Sequence, residues 1–145
     1  MTTDAPIIGF DIDGVLADFP SAFMYLAADL FEDVRPLPTG ALTEWDFPLP
    51  EHVLDTCWRY IDRHPVQWEN VDPLVTPAEI GMMWDAYKDG VSLQYVTSRH
   101  SQAREATDRW LNQHNFPRSR NDLHMMPDKD GYVKKKGYAA FIDDS

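Results

Sequence analysis

Cysteine is nearly absent from this sequence, with Cys57 the only one among 145 residues. A single cysteine cannot form an internal disulfide, so packing must stabilise the fold, and the composition suits a reducing compartment. No motif for nucleophilic catalysis surrounds Cys57, and we expect it to be a buried packing residue. Long apolar runs are also missing, because no stretch approaches the ~20 residues of a membrane-spanning helix. The N-terminus lacks the basic and apolar regions of a signal peptide. These absences predict a cytoplasmic protein with no membrane partner.

Positive charge is scarce as well. Against 24 Asp and Glu residues stand 13 Lys and Arg residues, for a net charge of −11. Such an acidic chain is a poor general partner for nucleic acids or anionic membranes. A small anionic substrate would therefore need local cations, from a metal ion or from lysine. The 43% hydrophobic and 12% aromatic residues exclude wholesale disorder, and the length fits one domain with a small insertion.

Two acidic residues follow the first apolar run of the chain. Residues 6–10 are typical of a short strand buried on both faces, and Asp11, Asp13 and Gly14 come directly after it. Gly14 permits the turn that leaves the strand, so the two carboxylates can converge beyond its end. Carboxylates so close repel each other and raise each other's pKa unless a divalent cation joins them. The alternative interpretation is an acidic turn after a core strand, with no chemistry.

Strand and helix patterns alternate along the chain. The sequence predicts further strands at 91–96, 122–126 and 138–142, and helices at 20–31, 51–63, 76–88, 101–114 and 128–136. This alternation indicates an α/β fold with a mostly parallel sheet and right-handed crossovers. In an open sheet of this kind, ligands bind at the carboxyl ends of the strands.

Three of the predicted strands end in polar residues that should meet at this edge. They are Asp11 and Asp13 after the first strand, Thr97 after the second, and Asp143 and Asp144 after the fourth. Four carboxylates at one point are electrostatically costly unless a cation lies among them. Hard oxygen ligands favour Mg²⁺ over zinc. A cation beside a hydroxyl and a lysine ammonium is suited to binding a phosphate.

These motifs resemble the haloacid dehalogenase (HAD) superfamily of phosphohydrolases in order and spacing. The matching stretches are 11–15, 95–98, Lys129 and 141–144, and they span nearly the whole chain. Further stretches are similar to the 5′(3′)-deoxyribonucleotidase branch, namely 13–19, 43–47 and the pair Asp128-Lys129. The resemblance implies a Mg²⁺-dependent phosphomonoesterase that acts through an aspartyl-phosphate intermediate on (deoxy)nucleoside monophosphates. Two alternatives stay open: a phosphatase or phosphotransferase for another small phosphometabolite, and a metal- or phosphate-binding module without turnover.

The resemblance also implies a domain organisation. The fold would be a three-layer, Rossmann-like parallel sheet with a small helical cap inserted after the first strand. Residues 1–19 and 91–145 would form the core domain, and residues 20–90 the cap. Members of the superfamily usually continue beyond the last motif, so we expect the fourth strand to be a sheet edge.

Roles for individual residues follow from the same resemblance. Asp11 would be the nucleophile, and Asp13 would protonate the leaving oxygen and then activate water. The metal ligands would be Asp11, the backbone carbonyl of Asp13, Asp143 and Asp144. The phosphate would be bound by Thr97, Ser98 and Lys129. One of Lys134, Lys135 and Lys136 could replace Lys129, although a solvated helix end that complements the helix dipole explains this triplet without any catalytic role.

Residues outside the motifs could contact the substrate. The candidates are Phe19, which lies just past the first motif, Trp45 in the predicted cap, and Arg99 after the second strand. The aromatic rings could stack on a nucleobase or pack a small core of the cap itself. A homodimer is compatible with the sequence, which contains no signal for or against it.

Overall fold

The computed structural model describes residues 5–34, 47 and 49–143 of the chain. Its strands are β1 Ile7–Asp11, β2 Ser92–Thr97, β3 Leu123–Met125 and β4 Ala140–Ile142. Its α-helices are α1 Phe19–Leu30, α2 Glu51–Arg63, α3 Pro77–Lys88, α4 Arg104–Gln113 and α5 Lys129–Lys136. Short 3₁₀ helices lie at Pro65–Glu69 and Ser101–Ala103. No helix in these described ranges is both long enough and apolar enough to cross a bilayer.

The strands form one parallel sheet in the order β3-β2-β1-β4, which confirms the predicted fold class. The register places Asp11 of β1 beside Val96 of β2, and Phe10 of β1 beside Ile142 of β4. The first and last strands are therefore neighbours, and β4 is a sheet edge as expected. Because all four strands run in the same direction, their carboxyl ends lie on one edge.

Helices cover the two faces of the sheet unequally. On one face, Tyr95 and Leu123 join a buried cluster with Trp110 of α4 and Ile80 of α3. Successive side chains of a strand alternate between faces, so His124 points to the opposite face, where it contacts Tyr132 of α5 at 5.4 Å between ring centroids. The result is a helix–sheet–helix arrangement with a thin third layer.

The opposite face also explains the glycine in β1. A Cβ at Gly9 would lie 2.5 Å from the Phe141 ring and 3.0 Å from the Tyr138 ring. Only a residue without a side chain lets these two rings close over the strand.

A second buried cluster lies apart from the first and is built from α1 and α2. Its members are Phe19, Phe23, Met24, Leu26, Ala27, Phe47, Val53, Cys57 and Ile61. Cys57 is completely buried among them, as predicted. All members of this cluster except Phe19 fall within the predicted cap. By contrast α3, which lies inside the same predicted range, packs against the core sheet through Ile80. The division at residues 20–90 stays a prediction.

Local signals explain most helix ends. Thr76 and Glu79 form a reciprocal capping box at the start of α3, with hydrogen bonds of 3.1 and 2.9 Å. Gly137 ends α5 in the left-handed conformation at φ 74°. The third strand, Leu123–Met125, is one residue shorter at each end than the predicted range 122–126. The hydrogen bonds to β2 nevertheless extend to both flanking residues, since the Asp122 carbonyl accepts from the Tyr95 amide and the Met126 amide donates to the Thr97 carbonyl, each at 2.8 Å.

Candidate active site

Two of the predicted acidic residues, Asp11 and Asp143, lie together at one edge of the sheet. Asp11 is the last residue of β1 and is 4% exposed, and Asp143 follows β4 directly. The two carboxyl groups are within hydrogen-bond contact of each other. Gly14, at φ 86°, turns the chain immediately beyond Asp13, so the backbone does not continue in the direction of β1 past the strand end.

Lys129 reaches the same point from α5. Its Nζ lies 2.9 Å from Asp11 Oδ2 and 3.9 Å from Asp143 Oδ1. Asp128 begins the helix by accepting a hydrogen bond from the Gly131 amide at 3.1 Å, so Lys129 is the first helical residue and points towards the strand ends. The other three candidate lysines lie in the last turn of α5 and are exposed. Among the four candidate lysines, Lys129 contacts the carboxylates of Asp11 and Asp143.

The charge balance at Asp11 is unfavourable without a further cation. Burial raises the pKa of Asp11 to about 7, the Lys129 ammonium opposes that rise, and Asp143 and Asp13 add to it. One lysine therefore does not compensate a buried carboxylate that has two acidic neighbours. A divalent cation at this point would remove the penalty.

The residues present fit such a cation in part. Asp11 and Asp143 supply hard carboxylate oxygens in contact with each other, which is the donor chemistry of Mg²⁺. Over residues 5–34, 47 and 49–143, no three His, Cys, Asp or Glu side chains surround a common point. The Asp13 carboxylate instead faces Arg99. The predicted metal ligand of Asp13 is its backbone carbonyl oxygen. Asp144, the remaining predicted ligand, lies outside the described residues.

Asp13 is instead held by Arg99. The Arg99 Nε donates to Asp13 Oδ2 at 2.9 Å, and Nη2 donates to Oδ1 at 2.5 Å. The remaining guanidinium nitrogen, Nη1, donates to the Thr107 hydroxyl at 3.0 Å, and the ring centroid of Trp68 lies 4.2 Å from the guanidinium carbon. We expected Arg99 to contact substrate, but its side chain is only 1% exposed. The sequence analysis missed this pair, although an arginine two residues beyond a strand end with converging acids was a usable signal.

Thr97 and Ser98 lie at the end of β2 in different environments. The Thr97 hydroxyl is buried and accepts a hydrogen bond from the Arg99 amide at 3.1 Å. Ser98 is exposed and lines a cleft of about 310 Å³ together with Asp13, Trp58, Asp62, Trp68, Arg99 and His100. Ser98 therefore lines the same cleft as Asp13, the predicted acid, whereas Thr97 is buried.

The chain matches the family model described as 5′ nucleotidase, deoxy (pyrimidine), cytosolic type C protein over residues 5–139. This protein belongs to the type C 5′-nucleotidase family. The match confirms the recognised superfamily and branch, a family of phosphoric monoester hydrolases with the HAD-like fold. A search among curated proteins found no match.

Solved structures include similar backbones. One is a HAD family hydrolase from Deinococcus radiodurans R1 with bound phosphate and sodium, at 19% sequence identity and a TM-score of 0.47. The similarity covers 92% of this chain and 62% of that one, so this chain spans less than two thirds of that protein's length.

Of the two aromatic residues expected to contact substrate, Phe19 and Trp45, the structure describes Phe19. Phe19 is buried, with Trp68 stacked at 4.8 Å and Trp58 stacked at 5.6 Å between ring centroids. Phe19 therefore supports the two tryptophans, and these two line the cleft. Trp45 lies outside the described residues. Trp58 lies in the predicted helix 51–63, and helical periodicity alone cannot distinguish a residue that lines a cleft from one on a packed face.

Proposed function

We propose that this chain is a Mg²⁺-dependent phosphomonoesterase that works through an aspartyl-phosphate on (deoxy)nucleoside monophosphates. One observation carries the proposal. A buried Asp11 carboxylate contacts Lys129 and a second carboxylate at the end of β1, in a chain that matches a nucleotidase family over most of its length. The pKa of Asp11, raised to about 7 mainly by burial, adds to this support, because strongly perturbed carboxylates cluster at functional sites.

The proposed reaction has two steps. An Asp11 oxygen attacks phosphorus, the bond to the leaving oxygen breaks, and Asp13 gives that oxygen a proton. Water then attacks the phosphorus of the aspartyl-phosphate while Asp13 takes a proton from it, which releases phosphate and restores Asp11. The second step regenerates both side chains in their starting protonation states.

The surrounding groups would stabilise the charge. Lys129, whose Nζ lies 2.9 Å from Asp11 Oδ2, would offset the negative charge of the incoming phosphate and of the aspartyl-phosphate. The Ser98 hydroxyl would donate to the phosphate oxygens. Asp11, the Asp13 carbonyl, Asp143 and Asp144 would hold Mg²⁺. When bound, Mg²⁺ would supply the positive charge that lets an anionic nucleophile approach an anionic phosphate.

The cleft supports a nucleotide as the substrate. Its walls include Trp58 and Trp68, and base–aromatic stacking contributes roughly 1–3 kcal/mol per base. A cleft of about 310 Å³ accepts a small ligand. Another small phosphometabolite, or transfer of the phosphoryl group to an acceptor other than water, is the rival proposal within the same chemistry.

A substrate panel tests these proposals. Purified protein is assayed for phosphate release from p-nitrophenyl phosphate, from ribo- and deoxyribonucleoside monophosphates and from sugar phosphates, each with Mg²⁺ and with EDTA. We expect turnover that needs Mg²⁺ and is fastest with a nucleotide. Asp11→Asn should abolish it, whereas Asp85→Asn, which removes an exposed carboxylate from α3, should not.

The outcomes separate the alternatives. If no phosphomonoester releases phosphate, the remaining alternative is a metal- or phosphate-binding module that has no turnover. Phosphate release from sugar phosphates but not from nucleotides would contradict the proposed nucleotide substrate and would still support the phosphomonoesterase reaction. Activity of Asp11→Asn equal to that of the unchanged protein would overturn the nucleophile.

A further inference from the structure

Arg99 is the buried cation that the proposed reaction does not yet use. Its guanidinium lies where three parts of the chain meet: the end of β2, the 3₁₀ helix Pro65–Glu69 and α4. All three guanidinium nitrogens make hydrogen bonds, two of them to Asp13 and one to Thr107. The ring of Trp68 lies over the guanidinium. A cation removed from water in this way is stabilised because each of its three nitrogens donates a hydrogen bond and a carboxylate balances its charge.

The hydrogen bonds fix the orientation of the Asp13 carboxylate as well as its position. The planar arginine fork binds both oxygens of one carboxylate at once, so the carboxylate cannot rotate without breaking a bond. The fork is itself held, because the Thr107 hydroxyl donates to the Ala103 carbonyl at 2.8 Å and so turns a lone pair towards Arg99. Contacts with Thr107 and Trp68 therefore fix Arg99, and Arg99 in turn holds the Asp13 carboxylate in a nearly rigid orientation.

The fixed Asp13 carboxylate exchanges a proton in both steps of the proposed reaction. Its orientation matters most in the second step, because the partner there is a small water molecule that must be held at the correct angle, and not an oxygen of a bound substrate.

We propose that Arg99 is a positioning residue that holds the Asp13 carboxylate ready to take the proton of the water that attacks the aspartyl-phosphate. This inference rests on the proposed function. As the water oxygen bonds to phosphorus, the bond between phosphorus and the Asp11 oxygen breaks and the water proton passes to Asp13. Arg99 keeps its own protons throughout, and Thr107 acts through Arg99.

Kinetics with p-nitrophenyl phosphate separate this role from a structural one. Its leaving group departs with little help from an acid, so formation of the phosphoenzyme should stay fast in Arg99→Met. Hydrolysis of the phosphoenzyme should slow by on the order of 10- to 100-fold. We expect kcat and KM to fall together with kcat/KM nearly unchanged, a burst of nitrophenolate, and accumulation of acid-stable phosphoprotein in rapid-quench samples.

Further variants protect the test against misfolding. Arg99→Met leaves a buried carboxylate unpaired, so thermal unfolding is measured for every variant. Thr107→Val retains both charges and should show the same pattern to a smaller degree, and Arg99→Lys should fall between. Arg109→Met is the matched control. Like Arg99, Arg109 connects α4 to Pro65–Glu69, because it donates two hydrogen bonds to Glu69. Unlike Arg99, it is exposed and does not line the cleft.

The Asp13→Asn/Arg99→Met double variant shows whether Arg99 acts through Asp13. If it does, the double variant should hydrolyse the phosphoenzyme no more slowly than Asp13→Asn alone. Loss of kcat/KM in folded Arg99→Met without a burst, or hydrolysis of the phosphoenzyme at the unchanged rate, would overturn the inference. Absence of phosphoenzyme and turnover in the unchanged protein would instead overturn the proposed function.

Discussion

Lys129 and Asp11 are 118 residues apart in the chain, yet the lysine Nζ lies 2.9 Å from the Asp11 carboxylate. The contact depends on two features of different range. The Asp128 cap sets where α5 begins, and the pairing of β4 with β1 places that helix over the strand end. A cation is thereby brought to a buried carboxylate whose pKa is nevertheless raised to about 7.

Removal of the Lys129 ammonium should impair catalysis more than folding. We predict that Lys129→Met lowers kcat/KM for p-nitrophenyl phosphate by on the order of 100-fold, because a fixed charge at the developing phosphoryl anion is lost. Lys135→Met removes an exposed lysine from the same helix and should retain activity. The reverse pattern, with the loss in Lys135→Met, would move the role to the C-terminal lysines.

The two cleft tryptophans should act on substrate choice. We predict that Trp58→Ala raises KM for a nucleoside monophosphate by on the order of 10-fold, the equivalent of one lost stacking contact. The same change should alter KM for a sugar phosphate by much less, because that ligand offers no ring to stack. Parallel Michaelis–Menten measurements check the ratio, and an equal rise for both ligands would argue for a general distortion of the cleft.

Trp110 should be the most costly single truncation in the core cluster. The side chain is completely buried, stacks on Phe116 at 5.3 Å, and its Nε1 donates to the Val71 carbonyl at 2.7 Å. Trp110→Ala should lower the free energy of unfolding by about 3–5 kcal/mol, as measured by urea denaturation. Met82→Ala, at a side chain that is 69% exposed, should change it by less than about 0.5 kcal/mol.

His124 should make stability depend on pH on the acid side. Burial lowers the pKa of His124 below its ordinary value of 6.5, and the nearby Lys136 lowers it further. Its Nε2 is buried without a hydrogen-bond partner among the described residues. Because the folded-state pKa is the lower one, the unfolded chain takes up the proton first as the pH falls through 6.5, and stability decreases there.

Urea denaturation at pH 7.5 and pH 5 measures that dependence. His124→Gln should lose less stability between the two pH values than the unchanged protein does, whereas His52→Gln, at an exposed histidine, should behave as the unchanged protein. Identical pH slopes for the His124 variant and the unchanged protein would contradict the assignment to this residue.

Local patterns were enough to predict the elements that frame the site. The range 51–63 was predicted and observed as α2, and the predicted helix 76–88 is observed as α3. Its start depends on Thr76, Pro77 and Glu79, which lie within one turn. Strand ends were predicted within one or two residues because apolar runs stop abruptly at Asp11 and Thr97. Their convergence followed from the parallel arrangement, which the alternation of strands and helices indicates.

The sequence by itself determined the fold class, the family and the position of the carboxylates at one sheet edge, because periodicity, caps and motif spacing act over short stretches of chain. Only the tertiary structure decided which side chains meet within that site. The pairing of Arg99 with Asp13 joins residues 86 positions apart, the packing of α3 on the core sheet depends on Ile80 meeting residues of other elements, and Phe19 is buried because two distant tryptophans stack on it. Such contacts follow from how helices pack on the sheet, and no local pattern specifies the partner that a buried side chain will find.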